Sequence, residues 1–230
     1  MQQVKSTSSV KGMLIVFEGI SGCGKSESVE ALRKYLSDKG YKTSVLEWNS
    51  NKIIRKITKA IDSIKLLTPG VYSFLQWIGF LIDYFFKVVP LLKKNYILIA
   101  DRYIYTGLIR DSVNGAGRII GSFLHRIVKK PAMVFFLDVS PEVCDERIKK
   151  RGKALFHTNR LIWENKLLKN KELYYLNKLR REYLLLFNSK TLLNETNIIS
   201  VNEDTETVVK CVNDYISGRR EIYEYFKPFN

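Results

Sequence analysis

The sequence predicts an α/β fold, a five-stranded parallel sheet with helices on both faces and a short lid. Three observations carry that prediction. Five short apolar runs alternate along the chain with stretches whose apolar residues recur at helical spacing. The runs are apolar nearly throughout, as strands buried on both faces are, instead of alternating as half-exposed strands do. The chain has 230 residues and 46% hydrophobic content, enough to bury the core of one such domain.

The first run, Met13-Leu14-Ile15-Val16-Phe17, opens directly into Gly19-Ile20-Ser21-Gly22-Cys23-Gly24-Lys25-Ser26. This is a complete G-x-x-x-x-G-K-[ST] phosphate-binding loop with a strand before it and a helix after it, from Lys25 to about Ser37. The backbone must curl so that successive N–H groups face an anion, and a side chain at Gly19 or Gly24 would block the approach. The helix adds its free N–H groups and positive dipole end to the same phosphates. Gly19, Ser21, Gly22, Cys23, Gly24, Lys25, Ser26 and Glu27 are the expected ATP-binding residues. Lys25 is expected to reach the β- and γ-phosphates and Ser26 to coordinate Mg²⁺.

Residues 1–11 read as a flexible leader and 12–218 as a single domain built on the phosphate loop. Val29, Leu32, Tyr35 and Leu36 place one face of the first helix in the core, and Asp38-Lys39-Gly40 ends it. Tyr41–Glu47 is the second strand, and Asn49-Ser50-Asn51 is a turn or cap before a helix marked by Ile53, Ile54, Ile57, Ile61 and Ile64. Thr68-Pro69-Gly70 breaks that helix. A long aromatic helix follows over Val71–Leu92, with Pro90 expected to close it. Tyr96–Ala100 is the third strand, running into Asp101-Arg102-Tyr103. A carboxylate at a strand end in a phosphate-loop protein is placed for metal, which makes Asp101 the second Mg²⁺ candidate. Asn114-Gly115-Ala116-Gly117 leads to a helix through Ile119, Phe123, Leu124, Ile127 and Val128. Met133–Val139 is the fourth strand, and Ser140-Pro141-Glu142 starts a helix with proline at its first position. Gly152 stops that helix, and a lid is expected over about 150–163. A helix from about Trp163 to Phe187, a fifth strand Asn197–Val201, a last helix Thr205–Ile216 and a tail over 219–230 complete the chain.

Composition excludes several classes. The three cysteines, Cys23, Cys144 and Cys211, show neither disulfide nor zinc spacing and point to a reducing, cytoplasmic setting. His125 and His157 lie far from any cysteine, which argues against a metal site built on them. The net charge of +15 is high, but much of it falls on lysines such as Lys166, Lys169, Lys171 and Lys178 on solvated helix faces, and nucleic acid is disfavoured. Gln76, Asp83 and Lys87 interrupt the aromatic helix, so a core helix is favoured over a membrane span. Its aromatic residues on more than one face also offer a homodimer contact.

Phosphoryl transfer needs positioning and charge neutralisation more than covalent work by the protein. Lys25, Mg²⁺ at Ser26 and Asp101, and an arginine cluster of Arg147, Arg151 and Arg160 around a mobile loop supply those parts. Arg102 is the candidate for the acceptor or the transferred phosphate, and Glu47, at the end of the second strand, for the acceptor's hydroxyl or proton.

These residues resemble the thymidylate kinases, a family of nucleoside monophosphate kinases. The resemblance rests on Phe17-Glu18-Gly19 with its loop, Asp101-Arg102-Tyr103, Asn114-Gly115-Ala116-Gly117-Arg118, and Phe136-Leu137-Asp138-Val139-Ser140-Pro141-Glu142-Val143 followed by Glu146-Arg147-Ile148. It covers roughly residues 12–190 and implies ATP as donor, Mg²⁺, and a nucleotide such as dTMP as acceptor. It also marks 150–163 as the family's lid and Tyr183 as its late-helix tyrosine.

The acceptor side departs from the family pattern. Ser21 stands where the family carries an acidic residue, and Leu46-Glu47-Trp48-Asn49-Ser50 stands where it carries Arg-Glu-Pro-Gly-Gly, keeping only the carboxylate. Phe80 takes the place of an arginine that grips the acceptor's phosphate, for which Arg55 is a candidate substitute. Arg110 and Asp111 fall near the base-contacting positions, in a segment longer than the family's. Kinases of a nucleoside or another small metabolite, and a nucleotide-sensing ATPase, remain as alternatives at this level.

Overall fold

The computed structural model describes residues 11–48, 50–152, 169–189, 196–202 and 204–218. Arg160, most of the expected lid, the leader before residue 11 and the tail lie outside them.

The five apolar runs form one parallel sheet in the order β2-β3-β1-β4-β5. Its strands are β1 (Met13–Glu18), β2 (Thr43–Glu47), β3 (Ile97–Asp101), β4 (Met133–Leu137) and β5 (Ile198–Val201). Every residue of β1 and β4 is buried, which is why neither shows alternation. Around the sheet lie α1 (Lys25–Asp38), α2 (Lys52–Ser63), α3 (Pro69–Asp83), α4 (Val89–Lys93), α5 (Ile104–Asn114), α6 (Ile119–Ile127), α7 (Pro141–Lys150), α8 (Lys171–Phe187) and α9 (Thr205–Ile216). The chain leaves β1 toward β2 in one direction and β3 toward β4 in the other, so right-handed crossovers put the following helices on opposite faces. Accordingly α1 packs against α9, while α5 packs against α3, α6 and α8. The reversal falls between the neighbours β1 and β3, where the loops at their carboxyl ends diverge into a crevice.

Side-chain caps set the helix starts. Asn51, Thr68, Ser140, Asn170 and Asp204 each accept backbone N–H groups of the first turn that follows, with proline opening α3 and α7.

One expectation needs correction, and one helix was not expected. Pro90 does not close the aromatic helix, because a π-helical turn at Tyr84–Val88 carries α3 into α4, which contains Pro90 and ends at Lys93. The wider turn resets the hydrogen-bond register just where Pro90 lacks an N–H. The segment Pro69–Lys93 is long and apolar enough to cross a membrane, with mean hydropathy 1.4, yet Trp77, Phe80 and Val88 enter the core and Asp83 pairs with Lys87 at 2.7 Å. The helix α5 had no sequence signal. It is buried nearly all round, including Ile104–Ile109, so no polar face marks its period.

Candidate active site

The phosphate loop sits at the carboxyl end of β1, pressed against the rest of the sheet. Gly22 adopts φ 88°, in the left-handed region, and a Cβ there would lie 2.6 Å from the Cys144 carbonyl oxygen in α7. At Gly19 a Cβ would meet the Leu137 carbonyl oxygen at 2.8 Å. Both positions therefore exclude side chains for reasons of packing as well as phosphate access. The Lys25 ammonium is buried and donates to the carbonyls of Gly19 at 3.0 Å and Ile20 at 2.7 Å. Burial, helped by the charge on Arg102, holds its pKa below the usual lysine value. The Ser26 hydroxyl donates to Asp101 Oδ2 at 3.2 Å, bringing together the two residues expected to hold metal.

Arg102 follows β3 with φ 74°, a left-handed conformation that costs a non-glycine residue strain. Its backbone N–H donates to the Phe17 carbonyl at 2.9 Å, tying β3's exit to the carboxyl end of β1. Its guanidinium donates to the Gly19 carbonyl at 2.8 Å and to the Ser21 hydroxyl at 3.5 Å. Arginine, loop and strand end thus form one unit.

Beneath that unit lies Glu18, fully buried. Its Oε1 accepts the N–H groups of Tyr103 at 2.8 Å and Thr106 at 3.3 Å, and its Oε2 accepts the hydroxyls of Thr106 at 2.6 Å and Tyr183 at 2.8 Å. Burial pushes its pKa up, opposed by Thr106 and by the Arg102 charge. On the other side of the loop, Arg147 donates to the Gly22 carbonyl at 3.4 Å. Arg180 grips Asp138 with two bonds, at 2.6 and 3.0 Å, fastening α8 to the end of β4.

The remaining candidates are spread more widely. Glu47 is exposed at the end of β2, in register with Asp101 and so at the same edge of the sheet. Arg55 is exposed on α2 and Arg151 is exposed just past α7. Phe80 is buried against Trp48, with ring centroids 5.2 Å apart, and against Tyr103 at 5.4 Å. Arg110 donates to the Tyr72 hydroxyl at 3.5 Å. Asp111 is engaged inside the protein, accepting the Trp77 indole N–H at 2.7 Å and a bond from Ser73. Burial raises its pKa despite those bonds.

Residues 17–212 match the family model described as thymidylate kinase. A probable thymidylate kinase 2 of Saccharolobus solfataricus is 33% identical over 146 residues, covering 64% of this chain and 68% of that protein. A probable thymidylate kinase of Archaeoglobus fulgidus is 35% identical over 61% of this chain and 71% of its own length. A thymidylate kinase of Caldanaerobacter subterraneus subsp. tengcongensis is 28% identical over 92% of this chain and 100% of its own. The chain belongs to the thymidylate kinase family.

It is an ATP-dependent phosphotransferase of the nucleoside monophosphate kinase type, built on the P-loop fold. The structure brings the expected loop, Lys25, Ser26, Asp101 and Arg102 together, and the residues that hold them there were not singled out from the sequence. Glu18 read as the end of an apolar run, and Thr106 sat in a helix with no visible period. Nothing in the sequence sets Arg180 apart from the other charges of its helix. The signal that finds Glu18 is a lone carboxylate closing a strand otherwise buried throughout.

Proposed function

We propose that the kinase transfers the γ-phosphoryl group of ATP to the phosphate of dTMP in the crevice between the ends of β1 and β3. The observation that carries this reading is the guanidinium of Arg102, which spans the Gly19 carbonyl and the Ser21 hydroxyl at the exit of the strand bearing Asp101. It lies between donor loop and acceptor side, where charge builds on a phosphoryl group in transit.

Gly19, Ser21, Gly22, Cys23, Gly24 and Glu27 cradle the donor phosphates, and Lys25 exchanges its loop carbonyls for β- and γ-phosphate oxygens. The oxygen pair of Ser26 and Asp101, 3.2 Å apart, fits Mg²⁺, which takes one or two protein oxygens and completes its shell with phosphates and water. Mg²⁺ held there supplies neutralisation of the phosphate charge. Arg102 stabilises the moving group, Glu47 orients the acceptor, and Arg110 provides acceptor-side positive charge that Phe80 lacks. Arg151, and Arg160 outside the described residues, add positive charge for the transferred phosphate.

Cys23, Cys144 and Cys211 are buried thiols that form no disulfide among the described residues, in keeping with a cytoplasmic protein. Exposed apolar residues lie on α2 (Ile53, Ile57), α3 (Phe74) and α6 (Ile119, Phe123); α2 packs on α3, and Gly121 of α6 lies close to Trp77 of α3, and we take these residues as one apolar face. A second copy of this chain fits that face, because a two-fold contact pairs it with an equally apolar surface.

The test is ADP release from ATP and Mg²⁺ with dTMP, thymidine and other nucleotides offered in turn. Release should depend on dTMP and vanish in Lys25→Ala. Release with thymidine alone, or with no acceptor dependence, overturns the reading.

A further inference from the structure

The seam between α3 and α5 is well satisfied except at one point. On α3, Ser73 and Trp77 bond to Asp111, and Tyr72 receives Arg110. Between them lies Gln76, whose side chain is buried at 6% exposure with neither Oε1 nor Nε2 hydrogen-bonded. A buried carboxamide missing both partners costs folding free energy that an apolar residue of the same size would not, so its retention points to a ligand. A second unpartnered polar atom falls in the same neighbourhood. The Trp48 indole nitrogen is buried without an acceptor, and its ring packs on Phe80 and Trp77, one turn and one residue beyond Gln76.

The place is the acceptor side. Tyr72, Gln76 and Phe80 share one row of α3 at i, i+4 spacing. One end of that row meets Arg110 and the other meets Trp48 and Tyr103, which follow the carboxyl ends of β2 and β3.

A carboxamide offers one donor and one acceptor side by side. Its complement is a planar edge with the reverse pair. The N3–H and O4 of thymine form such an edge, and after the amide rotates so do the N3 and N4–H₂ of cytosine. We infer that Gln76 reads the pairing edge of the acceptor's pyrimidine base through two hydrogen bonds, and that the kinase consequently accepts cytosine as well as thymine nucleotides. This rests on the proposed transfer to a nucleotide acceptor. Trp48, whose buried indole nitrogen has no acceptor, flanks the same base. Because the amide turns without cost to the helix, Gln76 demands a paired edge without fixing which end donates.

The experiment measures kcat and KM with dTMP, dCMP and 3-methyl-dTMP, in the unaltered protein and in Gln76→Leu, together with the melting temperature of each. Unaltered protein should use dCMP within about tenfold of dTMP and lose roughly tenfold or more with 3-methyl-dTMP, which lacks the N3 proton. Gln76→Leu should raise the KM for dTMP by a similar factor, leave the KM for ATP in place, and melt no lower than the parent, since it removes an unsatisfied buried amide. A lower melting point with unchanged acceptor KM assigns Gln76 to structure alone and overturns the inference. Equal use of 3-methyl-dTMP, or rejection of dCMP, also overturns it. Failure of the unaltered protein to phosphorylate any nucleotide would instead sink the proposed function.

Discussion

The Tyr183 hydroxyl donates to Glu18 Oε2 at 2.8 Å across 165 positions of sequence, joining α8 to the last residue of β1. The same hydroxyl lies 2.9 Å from the Thr106 hydroxyl and 3.4 Å from the Arg102 guanidinium. A buried carboxylate, two hydroxyls and an arginine therefore form one network directly under the phosphate loop.

Removing the phenol hydroxyl should loosen Arg102 without removing it. Tyr183→Phe is expected to cost about 1–2 kcal/mol in denaturant unfolding. It should lower kcat more than it raises either KM. Unchanged stability would mean that the Tyr183 bond to Glu18 contributes nothing net.

The same network predicts a pH dependence. Burial raises the Glu18 pKa above its ordinary 4.5, so the folded protein holds that proton more tightly than the unfolded chain does. The stability from this group is full below the ordinary value and is lost as pH rises through the folded-state pKa. The advantage of the parent over Glu18→Gln should shrink as pH increases above about 4.5, followed by unfolding at a series of pH values. An advantage that grows with pH contradicts it.

Arg102 separates strain from chemistry. Its left-handed φ of 74° favours glycine, so Arg102→Gly should be more stable than Arg102→Ala by about 1 kcal/mol. Both should lose about 10²-fold or more in kcat, measured under saturating ATP and dTMP. An active Arg102→Gly would remove the arginine from the mechanism.

Close packing at Gly107 offers a test of the acceptor side. A Cβ there would stand 2.5 Å from the Trp77 ring and 2.9 Å from the Trp48 ring. Gly107→Ala should cost about 1–3 kcal/mol and raise the acceptor KM, because the ring tips must shift. Alanine's better helix propensity would dominate only if both rings move freely, giving a stabilised protein.

Charges of like sign placed on the apolar face should abolish self-association. Phe74 and Phe123 are 57% and 63% exposed, and Phe74→Lys with Phe123→Lys should give a monomer by light scattering if the parent is a dimer. A parent already monomeric at micromolar concentration rules the contact out.

Much of the donor side was legible because its chemistry is local. Gly19 to Ser26 are consecutive, the strand before them is apolar throughout, and Asp101-Arg102 ends a run just as uniform. The acceptor side was less so. Phe80, Arg110 and Asp111 were singled out by position, yet Asp111 turns inward to Trp77 and Phe80 joins an aromatic cluster with Trp48. Neither partner choice leaves a mark on spacing. Helix α5 escaped notice because burial on nearly every side erases the polar face that periodicity needs. Pro90 misled for a related reason, since the π turn that accommodates it is a feature of hydrogen-bond register, not of composition.

By itself, then, the sequence determined a parallel α/β sheet, a phosphate loop between β1 and α1, and a carboxylate–arginine pair at the end of β3. Local backbone demands and apolar runs suffice for these. Only the tertiary structure decided that Glu18 joins Thr106 and Tyr183 in the buried network that also meets Arg102, that Arg180 clamps Asp138, and that Gln76 is left without partners near Trp48. Each depends on groups far apart in the chain meeting where water is excluded, and there a hydrogen bond made or missing carries its greatest energetic weight.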